Sequence, residues 1–516
     1  MKNFLLIFFL IASVIVSAQK NVTVKWGPTY KTPPKSSSSS IIGDDGTHFY
    51  IVRGGKGYRG GVFLEKYNKQ MKLVYSKELV IPKKGDELLT YESIILLNNS
   101  PVLLASFNDR KSNKSYAFAY PIDENGKVGS KFKLLDERET DGKKFLNMDF
   151  VLSKDSTKLL FYYSPTYDKY ADEKFSYKVF DNSLNILWEK DVKLPYRDKN
   201  FGIKDYVVDN EGNVFMLSTI YPDKSKGEKE TKHEQAKTYT ILAYKYKEAT
   251  FKQYEIKLKN KWVSDIYYDL NEEKGELYVG GFYSDDRYTS STNGIFYMSI
   301  NIKTTNVTQS STKAFDKDFM IDELGERKAD KGKGITSYVF DYFYAKKDGG
   351  AYLIAEKYYV TVHTTTNPQT GATTTRYVYH YNDIIVVNVN PKGEIEWIRK
   401  VPKRSSDGAG GYYLSYAINF NTSTNNLNII FNDNPANIEI LKTNEKKIKA
   451  VNIKKSVATV VNINEEGYLK RVPLFKNKEN DKIILQPKKF MQIDDNTLII
   501  YGVRGKEYKF GNISIN

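Results

Sequence analysis

The chain is predicted to be all-β: a single β-propeller of about eight four-stranded blades, or seven if the terminal units merge, closed by an N-terminal strand. Three observations predict it. Short runs that alternate apolar and polar residues, rich in Tyr, Phe, Val, Ile and Thr, are broken by clusters of Asn, Asp, Gly and Ser, as in antiparallel strands and their turns. One hairpin motif recurs along the chain at a nearly regular spacing. The 516 residues contain no cysteine, so a fold of this size rests on its core and not on disulfides. A β-sandwich or two smaller β-domains would share the first observation but not the second.

The elements follow in order. Lys2, an apolar run of thirteen residues from Phe4 to Val16, and the small residues Ser17 and Ala18 read as a cleavable signal peptide over 1–18, with Gln19 the first mature residue. The run is short of the roughly 20 residues a membrane-spanning helix needs. Residues 19–40 supply a strand ending at Trp26, suited to close the ring, and a Pro- and Ser-rich link; 41–516 form the propeller. Within it, eight segments of apolar strand, polar turn and apolar strand have turns beginning near Asp44, Asn98, Lys154, Asp209, Asn271, Lys347, Thr422 and Asp494. The first three gaps are 54, 56 and 55 residues, and later ones lengthen to between 62 and 76 where insertions are visible. The best helical stretch is Phe315 to Lys328.

A second hairpin lies between these turns. In three copies an aromatic stands seven residues after the first polar residue of the turn: Asn68 to Tyr75, Asp181 to Trp188, and Asn390 to Trp397. Two hairpins per repeat make a four-stranded blade, and the aromatic is placed to pack one blade on the next. These hairpins, with Asp/Asn-x-x-Gly-type turns, resemble repeats of quinoprotein-like and WD-like propellers. The stretch from Gly334 to Tyr416 also resembles exported bacterial proteins of no assigned activity. Neither resemblance supplies a catalytic motif. Most repeats lack the tryptophan and no quinoprotein cofactor-binding residues are identifiable, so no cofactor is expected.

Composition narrows the function classes. The formal charge is +16, yet only 12 of the 78 basic residues are arginine and the lysines are spread along the whole chain. Nucleic-acid recognition favours arginine's planar fork in clusters, so no nucleic acid is expected; the balance suits solubility and loose attraction to anionic surfaces. Gly55-Lys56-Gly57-Tyr58-Arg59-Gly60 matches a dinucleotide fingerprint literally, but strands flank it where a helix is required. His233-Glu234 begins a zinc motif that Lys237 leaves incomplete. The Asp/Asn clusters at Asp44-Asp45, Asp285-Asp286 and Asn432-Asp433-Asn434 complete no calcium loop and read as turns. No metal is expected.

The candidate site lies in the sixth repeat. Strands from Ala351 to Thr366 and from Thr373 to Asn388 are over twice the length a blade needs, so the hairpin 351–388 should project from the ring. Alternation puts Tyr377, Tyr379 and Tyr381 on one face of the second strand, and Tyr358, Val360 and Val362 on one face of the first. If the faces coincide they form an aromatic platform able to stack on sugar rings or dock a protein. The loop after it carries Lys403 and Arg404, suited to an anion, and Tyr412 and Tyr413. Glu356 and Asp383 are the carboxylates to test for glycosidase chemistry, which needs a pair about 5 to 10 Å apart. The expectation is an exported, non-enzymatic scaffold of the bacterial envelope, periplasmic or at the cell surface. It would be a monomer or part of a hetero-complex, without a transmembrane segment once mature, and recognise an envelope protein or glycan. A hydrolase acting on polysaccharide or peptide is the alternative.

Overall fold

The computed structural model describes residues 22–34, 36–55, 61–140, 147–222, 237–246, 248, 250–286, 291–408, 410–440, 448–477 and 481–515. The stretch 1–18 read as a signal peptide, most of the loop at Gly55–Gly60 and the His233-Glu234 pair lie outside these residues. Eight antiparallel sheets, each with four strands in its main path, follow one another along the chain. The first runs through Ser36–Asp44, His48–Gly55, Phe63–Asn68 and Leu73–Glu78, so blade one begins inside the stretch read as a link. The eight turns singled out in the sequence join the first and second strands of these sheets. In the last sheet the outer position is held by Val22–Trp26, which pairs with Glu507–Ile515 from Val22 opposite Ile515 to Trp26 opposite Gly511.

The core explains why the sheets form a ring. A strand pair buries little alone, but alternation gives each sheet two apolar faces, each packed on a neighbour. Eight apolar clusters result, one between each successive pair of sheets. The last joins Phe49, Ile51 and Tyr67 of the first blade to Ile499, Tyr501 and Phe510 of the eighth. The chain is a β-propeller.

Turn chemistry repeats with the blades. Asn68, Asp123, Asp181 and Asn390 each open an outer turn by accepting two backbone N–H bonds through one side-chain oxygen, from the residues two and four positions on, at 2.8–3.0 Å. These side chains are occupied as local turn formers. The outer aromatics reach the next blade: the indole N–H of Trp188 donates to the Gly212 carbonyl, and that of Trp397 to the Glu465 carbonyl, both at 2.9 Å. The predicted helical stretch forms two short helices, Lys317–Leu324 and Glu326–Ala329. Asp316 caps the first by accepting from Phe319 N–H at 2.7 Å, and Gly325, at φ 79°, separates them. Among the described residues, no helix is long and apolar enough to cross a membrane.

Antiparallel order fixes what shares a face of the ring. Turns between first and second strands, and between third and fourth, emerge on one side. Connections between second and third strands, and from blade to blade, emerge on the other. The projecting hairpin and the loop from Lys403 to Tyr413 therefore lie on the same face.

Candidate functional site

The sixth blade carries strands Ala351–Thr366 and Thr373–Val389. Their register sets Tyr358 opposite Tyr381, Val360 opposite Tyr379, and Val362 opposite Tyr377, so the two rows face the same way. Near the base the row is closed, the Tyr358 and Tyr381 rings lying 4.8 Å apart. Further out it is open: Val362 is 55% exposed and Tyr377 52%. On the opposite face, Tyr359 stacks on His380 at 4.4 Å, and Thr361 Oγ1 lies 2.9 Å from His380 Nε2.

The stem is braced on both sides. Ser405–Asp407 adds a short strand beside Tyr379–Tyr381, and Gly411 sits close enough beneath the Tyr381 ring that a Cβ there would lie 2.6 Å from it. The loop after the hairpin is thus partly sheet. Tyr412 is 62% exposed at its edge, and the Tyr413 carbonyl accepts from Asn432 at 2.9 Å. From blade five's side, Glu323 of the first helix takes Lys357 Nζ at 2.6 Å and the Tyr338 hydroxyl at 3.0 Å.

Lys403 and Glu356 form the centre of this base. Both are buried, and Lys403 Nζ lies 2.8 Å from Glu356 Oε1 and 2.7 Å from the Tyr381 carbonyl. Ser415 donates to the other carboxylate oxygen at 2.5 Å. Burial pushes the Glu356 carboxyl up and the Lys403 ammonium down, and each is drawn back by the other. The Lys403 charge is committed to Glu356 and does not face an external anion; Arg404 is the exposed cation of the pair. Asp383 sits across the sheet. Lys357 faces both Asn382 and Asp383 at a bulge, and Asp383 accepts the Lys403 N–H at 2.8 Å. It lines a cleft of about 320 Å³ with Asp322, Lys400 and Arg404, and burial pushes its carboxyl up to about 6. Ile354, two positions from Glu356 on its face of the strand, packs toward blade seven, and Ile385, two positions from Asp383, packs toward blade five. The two carboxylates therefore do not converge on a substrate.

A second, larger cleft of about 950 Å³ opens on the same face of the ring, between blades three and four. It is lined by Tyr162, Tyr167, Glu173, Phe175, Asp198 and Tyr206 among others. Sequence reasoning missed it. The one available signal was local: the connection from Ser164 to Asp172 carries two tyrosines, Tyr167 and Tyr170, where turn residues suffice.

Fold and site together define a β-propeller with a braced hairpin and a cleft on one face. No protein-family model and no curated protein sequence matches the chain. The WD40 domain of SCAP from fission yeast is similar over 96% of this chain and 95% of that one, at 8% identity and TM-score 0.40. The β-propeller domain of the Trilobed protease from Pyrococcus furiosus is similar over 86% and 94%, at 8% identity and TM-score 0.35. An ulvan lyase of polysaccharide lyase family PL25 is similar over 94% and 95%, at 9% identity and TM-score 0.36. For a prolyl endopeptidase, at 8% identity and TM-score 0.39, this chain spans 55% of the other's length.

Proposed function

We propose that this chain is an exported, non-enzymatic propeller of the bacterial cell envelope that recognises a protein or glycan partner through the hairpin of blade six and the loop beside it. The observation that carries the reading is the register of that hairpin. Three cross-strand pairs put tyrosine and valine on one face, rigid at the base and open to solvent further out. Exposed aromatic and aliphatic groups on a preorganised element are what recognition uses, because ordering costs little on binding. The alternative, a hydrolase built on Glu356 and Asp383, is disfavoured by the burial of Glu356 against Lys403 and by the opposite facing of the two carboxylates.

The test uses the full chain produced in its native export route. Val362→Ser with Tyr377→Ser changes only the open part of the row. The wild-type chain is expected to retain an envelope protein in crosslinked pull-downs or to bind in a glycan panel. The double variant should lose that partner at least tenfold while keeping its melting temperature within a few degrees. A mature chain found in the cytoplasm on fractionation, or a partner retained equally by the variant, would count decisively against the reading.

A further inference from the structure

We propose that the cleft between blades three and four is a binding site for a small ligand bearing an ammonium group, which seats between Glu173 and Asp198 beside Tyr162. This site is separate from the hairpin and does not depend on the role given to it.

The argument starts from charge. Most well-buried carboxylates of this basic chain are answered by a cation of its own. Glu65 meets Arg53 at 2.9 Å, Glu356 meets Lys403 at 2.8 Å, and Asp433 meets Arg471 at 2.5 Å. Glu173 is not. Its neighbour is a second carboxylate, Asp198, to which it hydrogen-bonds. Both line the cleft, and two carboxylates so placed disfavour each other's charge. Burial and the Asp198 charge push the Glu173 carboxyl up to about 8. A cation seated between the two would satisfy both groups.

The surroundings fit a ligand's cation and not one of the chain's own. The nearby lysine on the adjacent strand, Lys193, is drawn to Asp172 at 3.1 Å. Arg138, at the far wall, lies on the Tyr163 ring and is bound to Asp136 and Asp191. Lys174 is exposed and follows Glu173 on the same strand. The geometry is held by bonds at the cleft's rim. Asp198 Oδ2 accepts the Asp168 N–H at 2.6 Å, the Asp168 carboxylate caps Tyr170 N–H at 3.0 Å, and Arg197 donates to the Tyr170 carbonyl. The 164–172 connection is thereby pinned to the turn that carries Asp198. Tyr162 and Tyr206 stack at 4.7 Å along the wall, and Tyr206 donates to Asp149 at 2.5 Å. Tyr167, 60% exposed, stands at the rim. Carboxylates backed by aromatic faces suit an ammonium group, through direct charge pairing and cation–π attraction.

Two sources of that chemistry, a polyamine and an amino sugar, are separated by the probes. The mature chain is titrated calorimetrically at pH 7 and low salt with putrescine and with glucosamine, and with their uncharged counterparts butane-1,4-diol and glucose. At least one amine is expected to bind at least tenfold more tightly than its counterpart. Titration in two buffers of different ionisation enthalpy should show release of about one proton per ligand, as Glu173 ionises. The groups facing Glu173 that must be held constant are Asp198, Asp168, Tyr162 and Tyr206, with Asp172, Lys174 and Lys193 on its own and the adjacent strand. Glu173→Gln should reduce amine affinity at least tenfold and abolish the proton release. Tyr167→Ala, at the solvent-facing rim, should weaken binding several-fold without touching the carboxyl pair and keeps the test open if the first variant is unstable. Equal binding of amines and uncharged counterparts, no binding of either amine, or amine binding unaffected by both substitutions would overturn the proposal.

Discussion

Lys403 shows how one side chain holds the functional face in place. Its ammonium bonds Glu356 and the Tyr381 carbonyl while its own N–H bonds Asp383, so a single residue joins both strands of the hairpin to the loop that follows. Removing one member of a buried ion pair leaves the other charged and unanswered, which costs about 3–5 kcal/mol. Lys403→Met is expected to lower unfolding free energy in urea by that order. Combining it with Glu356→Leu should recover most of the loss, since no charge is then stranded. A double variant as unstable as the single one would show that packing, and not charge, dominates there. Glu173 gives a pH-dependent prediction at the same scale. Burial and the neighbouring Asp198 push the Glu173 carboxyl up to about 8 in the folded chain, from an ordinary 4.5. Between those values the folded state binds more protons than the unfolded one, so this group's contribution to stability falls as pH rises. Below the lower value both states are protonated and the contribution is flat. Urea unfolding at pH 5 and pH 8 should show a smaller drop for Glu173→Gln than for wild type; an identical drop would mean that another group sets the slope.

At the scale of the element, the hairpins were legible because their information is local. Alternation and a polar turn lie within a dozen residues, and the capping oxygen of Asn68, Asp123, Asp181 or Asn390 bonds backbone no more than four positions away. The length of the blade-six strands also showed in the sequence, and with it the parity of Tyr358 and Tyr377. What did not show was anything settled by a partner distant in the chain. Glu356 read as a site carboxylate because nothing near it in sequence announces Lys403. The Glu173 and Asp198 pair stayed hidden because it joins a strand to a turn 25 positions later, across a blade boundary. The outer aromatic illustrates both halves: its position was legible, its partner was not. Trp397 lies over Gly467 of blade seven, where a Cβ would stand 2.9 Å from the ring and the backbone has φ 81°. Gly467→Ala therefore combines a clash with a left-handed conformation that only glycine adopts freely. It is expected to cost about 1–3 kcal/mol, read as a lowered urea midpoint with unchanged slope.

For the whole molecule, the question is what keeps a ring of eight sheets from opening at its seam. The sheet that contains the first and last described strands is built from Ile484–Gln492, Thr497–Arg504 and Glu507–Ile515, with Val22–Trp26 outermost. Without that outer strand, Glu507–Ile515 would present unpaired backbone to solvent, an edge that invites pairing with another chain. Trp26 adds packing to the hydrogen bonds. Its ring meets Phe475 of blade seven edge-on at 5.4 Å and lies against Gly502 and Gly511, where a Cβ would stand 3.0 and 2.8 Å away. The tryptophan thus ties the closing strand to two blades at once. Truncating a buried aromatic costs about 3–5 kcal/mol, and Trp26→Ala, only partly buried, should fall at or below the lower end of that range. Deleting residues 22–31 removes the strand and also Tyr30–Lys31, which pairs with Glu507 and Tyr508. The expected result is a melting temperature well below that of Trp26→Ala, together with self-association seen by size-exclusion chromatography with light scattering. A deleted chain that stays monomeric and melts like the point variant would show that the cluster between blades eight and one suffices to hold the ring shut.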